Sequence, residues 1–138
     1  MDKFEKLKES RKFMKGYAAE TGIEEVEIKK GYARGEIKIT KDHMNVIGSV
    51  HGGCLFTLAD TISGAAACSY GFYQTTVSGS INYLSPAINI TTLVAVAKEV
   101  KHGKTISVYD VDMFDENDKL LANASFTYYN LQRPIEGM

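Results

Sequence analysis

One segment of this chain dictates the architecture of the rest, and it reads GGCLFTLADTISGAAACSYG (residues 52–71). Its apolar residues follow helical spacing and surround most of the helix; they are Leu55, Phe56, Leu58, Ala59, Ile62, Ala65, Ala66 and Ala67. A helix that is apolar on most sides is a buried one. The segment therefore predicts one long central helix over residues 52–71, with Gly71 placed to end it.

Asp60 is the single residue with a charged side chain between Met44 and Ala97, in a chain where 24% of residues are charged. A carboxylate in an apolar core segment is costly in free energy. It also argues, with the small and hydroxylic residues around it, against a membrane span. Asp60 is therefore the first candidate for chemistry, and the alternative is a buried carboxylate that holds backbone N–H groups.

The composition limits the classes of function. The chain has 138 residues and a net charge of −1, which predicts a single domain over residues 1–138 with no field to recruit nucleic acid or anionic lipid. Cys54 and Cys68 lie about 21 Å apart along the predicted helix, too far for a disulfide, and have no metal-ligand spacing. We expect two buried core cysteines. The N-terminus has no apolar signal region, and the expected location is cytoplasmic.

Alternating patterns flank the central helix. Residues 1–18 predict an amphipathic helix with Phe4, Leu7 and Met14 near one face, and residues 22–40 predict a hairpin that turns at Gly31. After Gly71 four runs read as strands: TTVSGSINYL (75–84), NITTLVAVAKEVKH (89–102), KTISVYDVDMFD (104–115) and KLLANASFTYYN (119–130). Turns at 101–104 and 115–119 join the last three into a meander. This order predicts an α+β fold in which a curled antiparallel sheet wraps around the central helix.

Asn45, the run His51-Gly52-Gly53, then Asp60 and Ser78 form a recognisable motif. It resembles the hotdog-fold thioesterases of the PaaI and 4-hydroxybenzoyl-CoA thioesterase type, and the resemblance covers residues 23–130. That resemblance implies the hotdog fold and hydrolysis of an acyl-CoA thioester to free acid and CoA. It also implies that no metal or cofactor is needed, because coenzyme A is part of the substrate.

Two residues of the motif have chemical roles that the resemblance and physical chemistry both favour. Gly52 opens a helix whose first N–H groups have no intrahelical partner, so its N–H would polarise the thioester carbonyl. Gly52 and Gly53 would also let a ligand approach the backbone, although tight loop packing is the alternative. Asp60 would be a general base on water or a nucleophile that forms an acyl-enzyme anhydride.

The other motif residues are candidates for positioning. Asn45 would hold the thioester or the attacking water, or would be a turn residue. We expect Ser78 to share a strand face with Thr76 and Ser80, where it would orient water or simply face solvent. His51 is interpreted as a hydrogen-bonding residue of the substrate site rather than as an acid or base.

Coenzyme A also carries nucleotide phosphates. Lys101, His102 and Lys104 cluster at one predicted turn, and Arg34 lies in the first hairpin. These four residues are candidate phosphate ligands, and solvated surface cations are the alternative.

The spacing of the two chemical residues predicts an oligomer. Gly52 and Asp60 are eight residues apart, about 12 Å along a helix, so one carbonyl carbon cannot contact both in one chain. We expect a homodimer with antiparallel helices and two shared sites, and a dimer of dimers stays open. Rival functions are a non-catalytic acyl-CoA sensor and an acyl-CoA dehydratase or hydratase. The acyl group also stays open, since Tyr70, Phe72, Tyr73 and Tyr83 could line a pocket or pack the core.

Overall fold

The secondary structure follows the predicted alternation of helix and strand. A computed structural model describes residues 1–12 and 16–138. Its elements are α1 (Lys3–Lys12), α2 (Tyr17–Thr21), β1 (Ile23–Lys29), β2 (Tyr32–Lys38), α3 (Gly52–Cys68), β3 (Phe72–Tyr83), β4 (Thr92–His102), β5 (Ile106–Phe114) and β6 (Leu120–Pro134). A short 3₁₀ turn at Lys41–His43 begins the loop that leads to α3.

The six strands form one antiparallel sheet in the order β1-β2-β4-β5-β6-β3. Helix α3 lies across this sheet and contacts all six strands. The predicted α+β architecture, a curled antiparallel sheet around one central helix, is therefore confirmed. Strand β3 forms one border of the sheet and β1 forms the other.

The burial of α3 follows from its sequence. Every member of the predicted apolar stripe is buried except Phe56, which is partly buried and packs on the core. The helix also approaches β2 very closely: a Cβ on Gly35 would lie 2.2 Å from Ile62 Cδ1 and 2.8 Å from the Glu24 carbonyl oxygen. Only a glycine fits there, so Gly35 sets the distance between helix and sheet.

The predicted turns are also found. Gly31 joins β1 to β2 with a φ of 70°, which favours glycine. Gly103 N–H donates to the Ile106 carbonyl at 3.0 Å between β4 and β5. Between β5 and β6, Asp115 Oδ1 accepts hydrogen bonds from the amides of Asn117 and Lys119.

Two element boundaries differ from the prediction. The N-terminal helix predicted over residues 1–18 is divided: α1 ends at Lys12, Gly16 is extended, and α2 begins at Tyr17. Glycine is a poor helix former, and Met14 lies outside the described residues. Helix α3 ends at Cys68 rather than at Gly71; Gly71 has a φ of 97° and turns the chain into β3.

The two cysteines match the prediction of core residues. Cys54 and Cys68 are buried and unpaired. Burial raises the pKa of Cys54 to about 11 and also raises that of Cys68, so both thiols stay protonated near neutral pH. Among residues 1–12 and 16–138, no helix combines the length and apolar character that a bilayer span requires.

Candidate active site

The N-terminal turn of α3 presents one free hydrogen-bond donor. His51 caps the helix: its Nδ1 accepts from Gly53 N–H at 2.8 Å, and its carbonyl accepts from Cys54 N–H at 2.9 Å. The N–H of Gly52 has no partner among the described residues. A free N–H at the positive end of a helix dipole can bind a developing oxyanion.

The side chain of Tyr83, at the end of β3, packs against Gly52. Its hydroxyl donates to the Gly52 carbonyl at 2.7 Å. A Cβ on Gly52 would lie 3.0 Å from the Tyr83 phenol. The space beside Gly52, expected from the sequence to admit a ligand, is filled by the Tyr83 side chain.

The Asp60 carboxylate is held asymmetrically. Oδ1 accepts from Thr76 Oγ1 at 2.8 Å and lies 2.7 Å from the Tyr128 hydroxyl. Thr76 of β3 and Tyr128 of β6 are directly opposite each other across the sheet. Asp60 Oδ2 accepts no hydrogen bond from the described residues. One oxygen therefore fixes the carboxylate, and the other is free to react.

Ser78 does not lie where the alternation predicted. The pairing of β3 with β6 shifts between Thr76 and Ser78, so Thr76 is opposite Tyr128 whereas Ser78 is opposite Thr127. Paired residues share a sheet face, and Tyr128 points to the core. Thr76 therefore faces α3 and Ser78 faces outward. The expectation that Thr76 and Ser78 share a face is wrong, because a β-bulge at Val77 inserts one residue.

Asn45 is engaged within its own loop. Its Oδ1 accepts from the amides of Ile47 and Ser49, at 3.0 and 3.1 Å, and its Nδ2 donates to Ser49 Oγ at 2.8 Å. These hydrogen bonds are typical of a turn residue, which was the alternative role expected for Asn45. They shape the loop that ends at His51, and any contact of Asn45 with substrate stays a prediction.

The basic residues divide into two groups. Lys101 and Lys104 are exposed near the β4–β5 turn, and the His102 ring stacks on Tyr70 with centroids 3.6 Å apart. Tyr70 follows the C-terminal end of α3, so this turn lies at the opposite end of the helix from Gly52. Arg34 does not join them, because it lies on β2 opposite Val96 and faces away from α3.

The aromatic residues are also separated. Tyr70 donates its hydroxyl to Glu99, and burial together with that carboxylate raises the pKa of Tyr70 to about 12. Tyr73 packs under Arg133, with 4.8 Å from the guanidinium carbon to the ring centroid. Of the four aromatic candidates, Tyr83 contacts the N-terminal turn of α3. Sequence reasoning left its role open and did not include Thr76 or Tyr128 in the site.

The two candidate groups therefore lie apart within a single chain. Gly52 and Asp60 lie on one helix, about 12 Å apart along its axis. Strand β3, which carries Thr76, is exposed over residues 75–80 and forms the open border of the sheet. Within the part of the chain that the structure describes, no cluster of three or more side chains suits a metal ion.

Comparisons with known sequences agree on one family. The family model described as the thioesterase superfamily matches residues 47–122. The acyl-coenzyme A thioesterase PaaI of Escherichia coli is 33% identical over 73% of this chain and 72% of its own length. The human acyl-coenzyme A thioesterase 13 is 36% identical over 67% of this chain and 68% of its own length.

Solved structures give the same answer. The E. coli PaaI protein superposes with a TM-score of 0.81 at 30% identity, over 86% of each chain. A hypothetical thioesterase of Streptococcus pneumoniae with coenzyme A superposes with a TM-score of 0.77 at 31% identity, over 82% of this chain and 88% of that one. Variants of that protein, in which an aspartate or a threonine is replaced by alanine, are also similar, with TM-scores of 0.75 and 0.74.

Proposed function

We propose how this chain, which belongs to the thioesterase superfamily and hydrolyses acyl-CoA thioesters, divides its catalytic groups between two subunits. The observation that carries the proposal is the separation of the free Gly52 N–H from the free Asp60 oxygen on one helix. Each group has the chemistry that thioester hydrolysis requires, and neither reaches the other in one chain.

Asp60 is the group that starts the reaction. Its free Oδ2 either takes a proton from water, which attacks the thioester carbon, or attacks that carbon itself to form an anhydride. Thr76 holds Oδ1 by a 2.8 Å hydrogen bond. In the first course the C–S bond of the tetrahedral intermediate breaks, and the proton that Asp60 took from water passes to the departing thiolate, which gives free acid and coenzyme A thiol. In the second course the C–S bond breaks as the anhydride forms, the thiolate takes a proton from solvent, and a water then hydrolyses the anhydride to free acid and Asp60.

Gly52 stabilises the charge that develops on the carbonyl oxygen. Its N–H is at the positive end of α3, and a backbone donor there needs no rearrangement during the reaction. His51 occupies the neighbouring N–H of Gly53 with its Nδ1, which leaves Gly52 as the donor. With Nδ1 engaged, His51 is a poor general acid or base, which disfavours a dehydratase.

The active unit is a homodimer. Pairing of two β3 edges in antiparallel fashion would run the two α3 helices antiparallel, so that Gly52 of each chain would approach Asp60 of the other. The open border and the exposed residues of β3 support this arrangement. A dimer of dimers is compatible with it, as is a cytoplasmic location, which the two unpaired cysteines fit.

The comparison with the Streptococcus pneumoniae protein supports the pairing of Asp60 with Thr76. The aspartate and the threonine replaced in its variants are sixteen positions apart, the same separation as Asp60 and Thr76 here. That protein contains coenzyme A, and we propose that Lys101, His102 and Lys104 bind the nucleotide part of the same ligand. No further cofactor takes part in the proposed reaction.

Mixed dimers test the shared site. Gly52→Pro removes the amide donor, and proline is tolerated at the first position of a helix; Gly52→Ala is the matched control, because it adds the same Cβ against Tyr83 but keeps the N–H. We expect Gly52→Pro and Asp60→Asn chains to be inactive alone. After mixing and re-equilibration, thiol release from acyl-CoA should recover to about a quarter of that of the unchanged dimer.

The recovery has a clear counter-result. Random pairing gives hybrid dimers with one site that holds both functional groups and one that holds neither. No gain after mixing, with dimer exchange verified by mass spectrometry, would show that Gly52 and Asp60 do not form a shared site. A fully active monomer in sedimentation experiments would contradict the dimer itself.

A further inference from the structure

We infer that Tyr128 is a positioning residue for the thioesterase reaction: its hydroxyl fixes Asp60 Oδ1 so that Oδ2 is the reacting oxygen. The inference rests on the proposed catalytic role of Asp60. It starts from the position of Tyr128 at the centre of β6, where its ring is 2% exposed and lies under α3.

The Tyr128 hydroxyl contacts three groups of α3. It lies 2.7 Å from Asp60 Oδ1, 2.6 Å from the Asp60 main-chain oxygen and 2.7 Å from Ser63 Oγ. A phenol has one proton to donate. The carboxylate is the stronger acceptor because it is charged, whereas the main-chain oxygen lies inside the helix. The Ser63 hydroxyl also has one proton, and its Oγ lies 2.7 Å from both the phenolic oxygen and the Ala59 carbonyl. When it donates to the phenolic oxygen, it completes a short chain of hydrogen bonds.

Tyr128 stays a donor throughout the working pH range. Burial, and then the negative charge of Asp60, raise the pKa of Tyr128 far above that of a free tyrosine. The phenol therefore keeps its proton. Thr76 Oγ1, the second donor, binds the same oxygen from β3.

Two donors on one carboxylate oxygen have a chemical consequence. They fix the plane of the carboxylate and lower the basicity of Oδ1, so Oδ2 is the oxygen left to attack or to accept a proton. A carboxylate held by one donor alone could rotate and exchange its oxygens. Tyr128 thereby preorganises the reacting atom without contact with the substrate.

Few other charged or titratable groups are close to Asp60. Thr76 of β3 and Ser63 of α3 contribute neutral hydroxyls, and Tyr128 of β6 contributes its phenol. Arg11 of α1 donates to the carbonyl of Thr61, the next residue along the helix, at 3.3 Å. Removal of the neutral Tyr128 hydroxyl therefore leaves the formal charges around Asp60 unchanged.

The test compares two buried tyrosines of neighbouring strands. Tyr128→Phe keeps the ring and removes the hydroxyl that contacts Asp60. Tyr109→Phe is the matched control, since Tyr109 of β5 is fully buried and its hydroxyl donates to the Ala66 carbonyl at 3.4 Å. Both variants are assayed as full-length protein by thiol release from acyl-CoA over a range of pH.

We expect Tyr128→Phe to lower kcat about tenfold with little change in KM, because a hydrogen bond to a charged group is lost. The acid side of its pH–rate profile should move to higher pH, since the carboxylate has lost a donor that favours its charged form. Tyr109→Phe should match the unchanged protein in kcat and in pH profile.

Two results would overturn the inference. One is a Tyr128→Phe profile that coincides with that of the unchanged protein, and the other is an equal change in Tyr109→Phe, which would indicate a general packing effect. If Tyr128→Phe does not fold, Ser63→Ala carries the test through the same chain of hydrogen bonds. It should lower kcat about threefold with a smaller shift in the same direction, and an unchanged pH profile would refute the role.

Comparison of Asp60→Asn with Tyr128→Phe distinguishes a failure of this inference from a failure of the proposed function. Full activity of Asp60→Asn would remove the catalytic role of Asp60 and this inference together. An inactive Asp60→Asn beside an unaltered Tyr128→Phe would refute the inference alone.

Discussion

Two carboxylates beside α3 have opposite surroundings. Glu25 of β1 accepts hydrogen bonds from Arg11 Nε on both oxygens, at 2.8 and 2.9 Å, and the two side chains are 12% and 23% exposed. Asp60 receives two neutral hydroxyls on one oxygen and keeps the other free. Both oxygens of Glu25 are thus used by the fold, whereas one oxygen of Asp60 has no hydrogen bond among the described residues.

The surroundings of Arg11 explain why its ion pair with Glu25 is maintained. Burial disfavours the charged guanidinium, but the Glu25 carboxylate outweighs it, and the pKa of Arg11 is raised. The ion pair therefore persists and fastens α1 against β1 and α3. Partial burial of a carboxylate is therefore not by itself a mark of function.

The largest expected effect is on kcat, and it follows from replacement of the Asp60 carboxylate by a neutral amide. Asp60→Asn should lower kcat by about 100-fold or more, because an amide is neither a base nor a nucleophile. Its oxygen can still accept from Thr76, so we expect the fold and substrate binding to be preserved. Thiol release from acyl-CoA, beside thermal unfolding, measures both.

Glu25→Gln is the matched control for that loss, because it removes the other carboxylate beside α3. Its kcat should stay close to that of the unchanged protein. Near-normal turnover in Asp60→Asn, or an equal loss of turnover in Glu25→Gln, would contradict the distinction between the two carboxylates.

The next effect is on stability rather than on turnover. Glu25→Gln leaves the Arg11 guanidinium partly buried without its counter-charge, and we expect the free energy of unfolding to fall by about 2 kcal/mol, less than for a fully buried pair. Urea denaturation measures the change. Glu27→Gln is the control, since Glu27 pairs with Lys29 at the surface, with side chains 43% and 64% exposed. If the free energy of unfolding fell as much in Glu27→Gln as in Glu25→Gln, the structural role of the Arg11–Glu25 pair would be contradicted.

The sequence predicts the part of this molecule that depends on local periodicity. Helical spacing over residues 52–71 identifies α3, and the isolation of Asp60 in a charge-free region identifies the candidate catalytic carboxylate. Both inferences depend only on which residues are buried, and this can be predicted from the composition and spacing of apolar residues in the sequence.

Two features of the strands that local alternation cannot predict share one physical cause. A β-bulge between Glu25 and Glu27 puts Glu25 opposite Gly35, on the face toward α3, and a second bulge at Val77 separates Thr76 from Ser78. Each bulge depends on pairing with a distant strand, so alternation within one strand cannot reveal it. Tyr128 shows another limit, because an inward tyrosine in a strand reads as core whether or not its hydroxyl binds a carboxylate.

The smallest expected effect concerns fully exposed charges, a third environment beside the two carboxylates. Lys101→Ala with Lys104→Ala should raise KM for acyl-CoA about threefold to tenfold with little change in kcat, because exposed charges bind phosphates weakly and are not part of the transition state. The salt dependence of KM should flatten, because the variant has lost charges that salt screens.

Two controls test this assignment. Lys38→Ala, which removes a lysine that is 74% exposed on β2, should leave KM unchanged. The double variant should act normally on acyl-pantetheine, which lacks the nucleotide. An equal loss on acyl-CoA and acyl-pantetheine would assign these lysines to the fold, whereas a loss on acyl-CoA alone would give exposed charges a role in binding that neither carboxylate has.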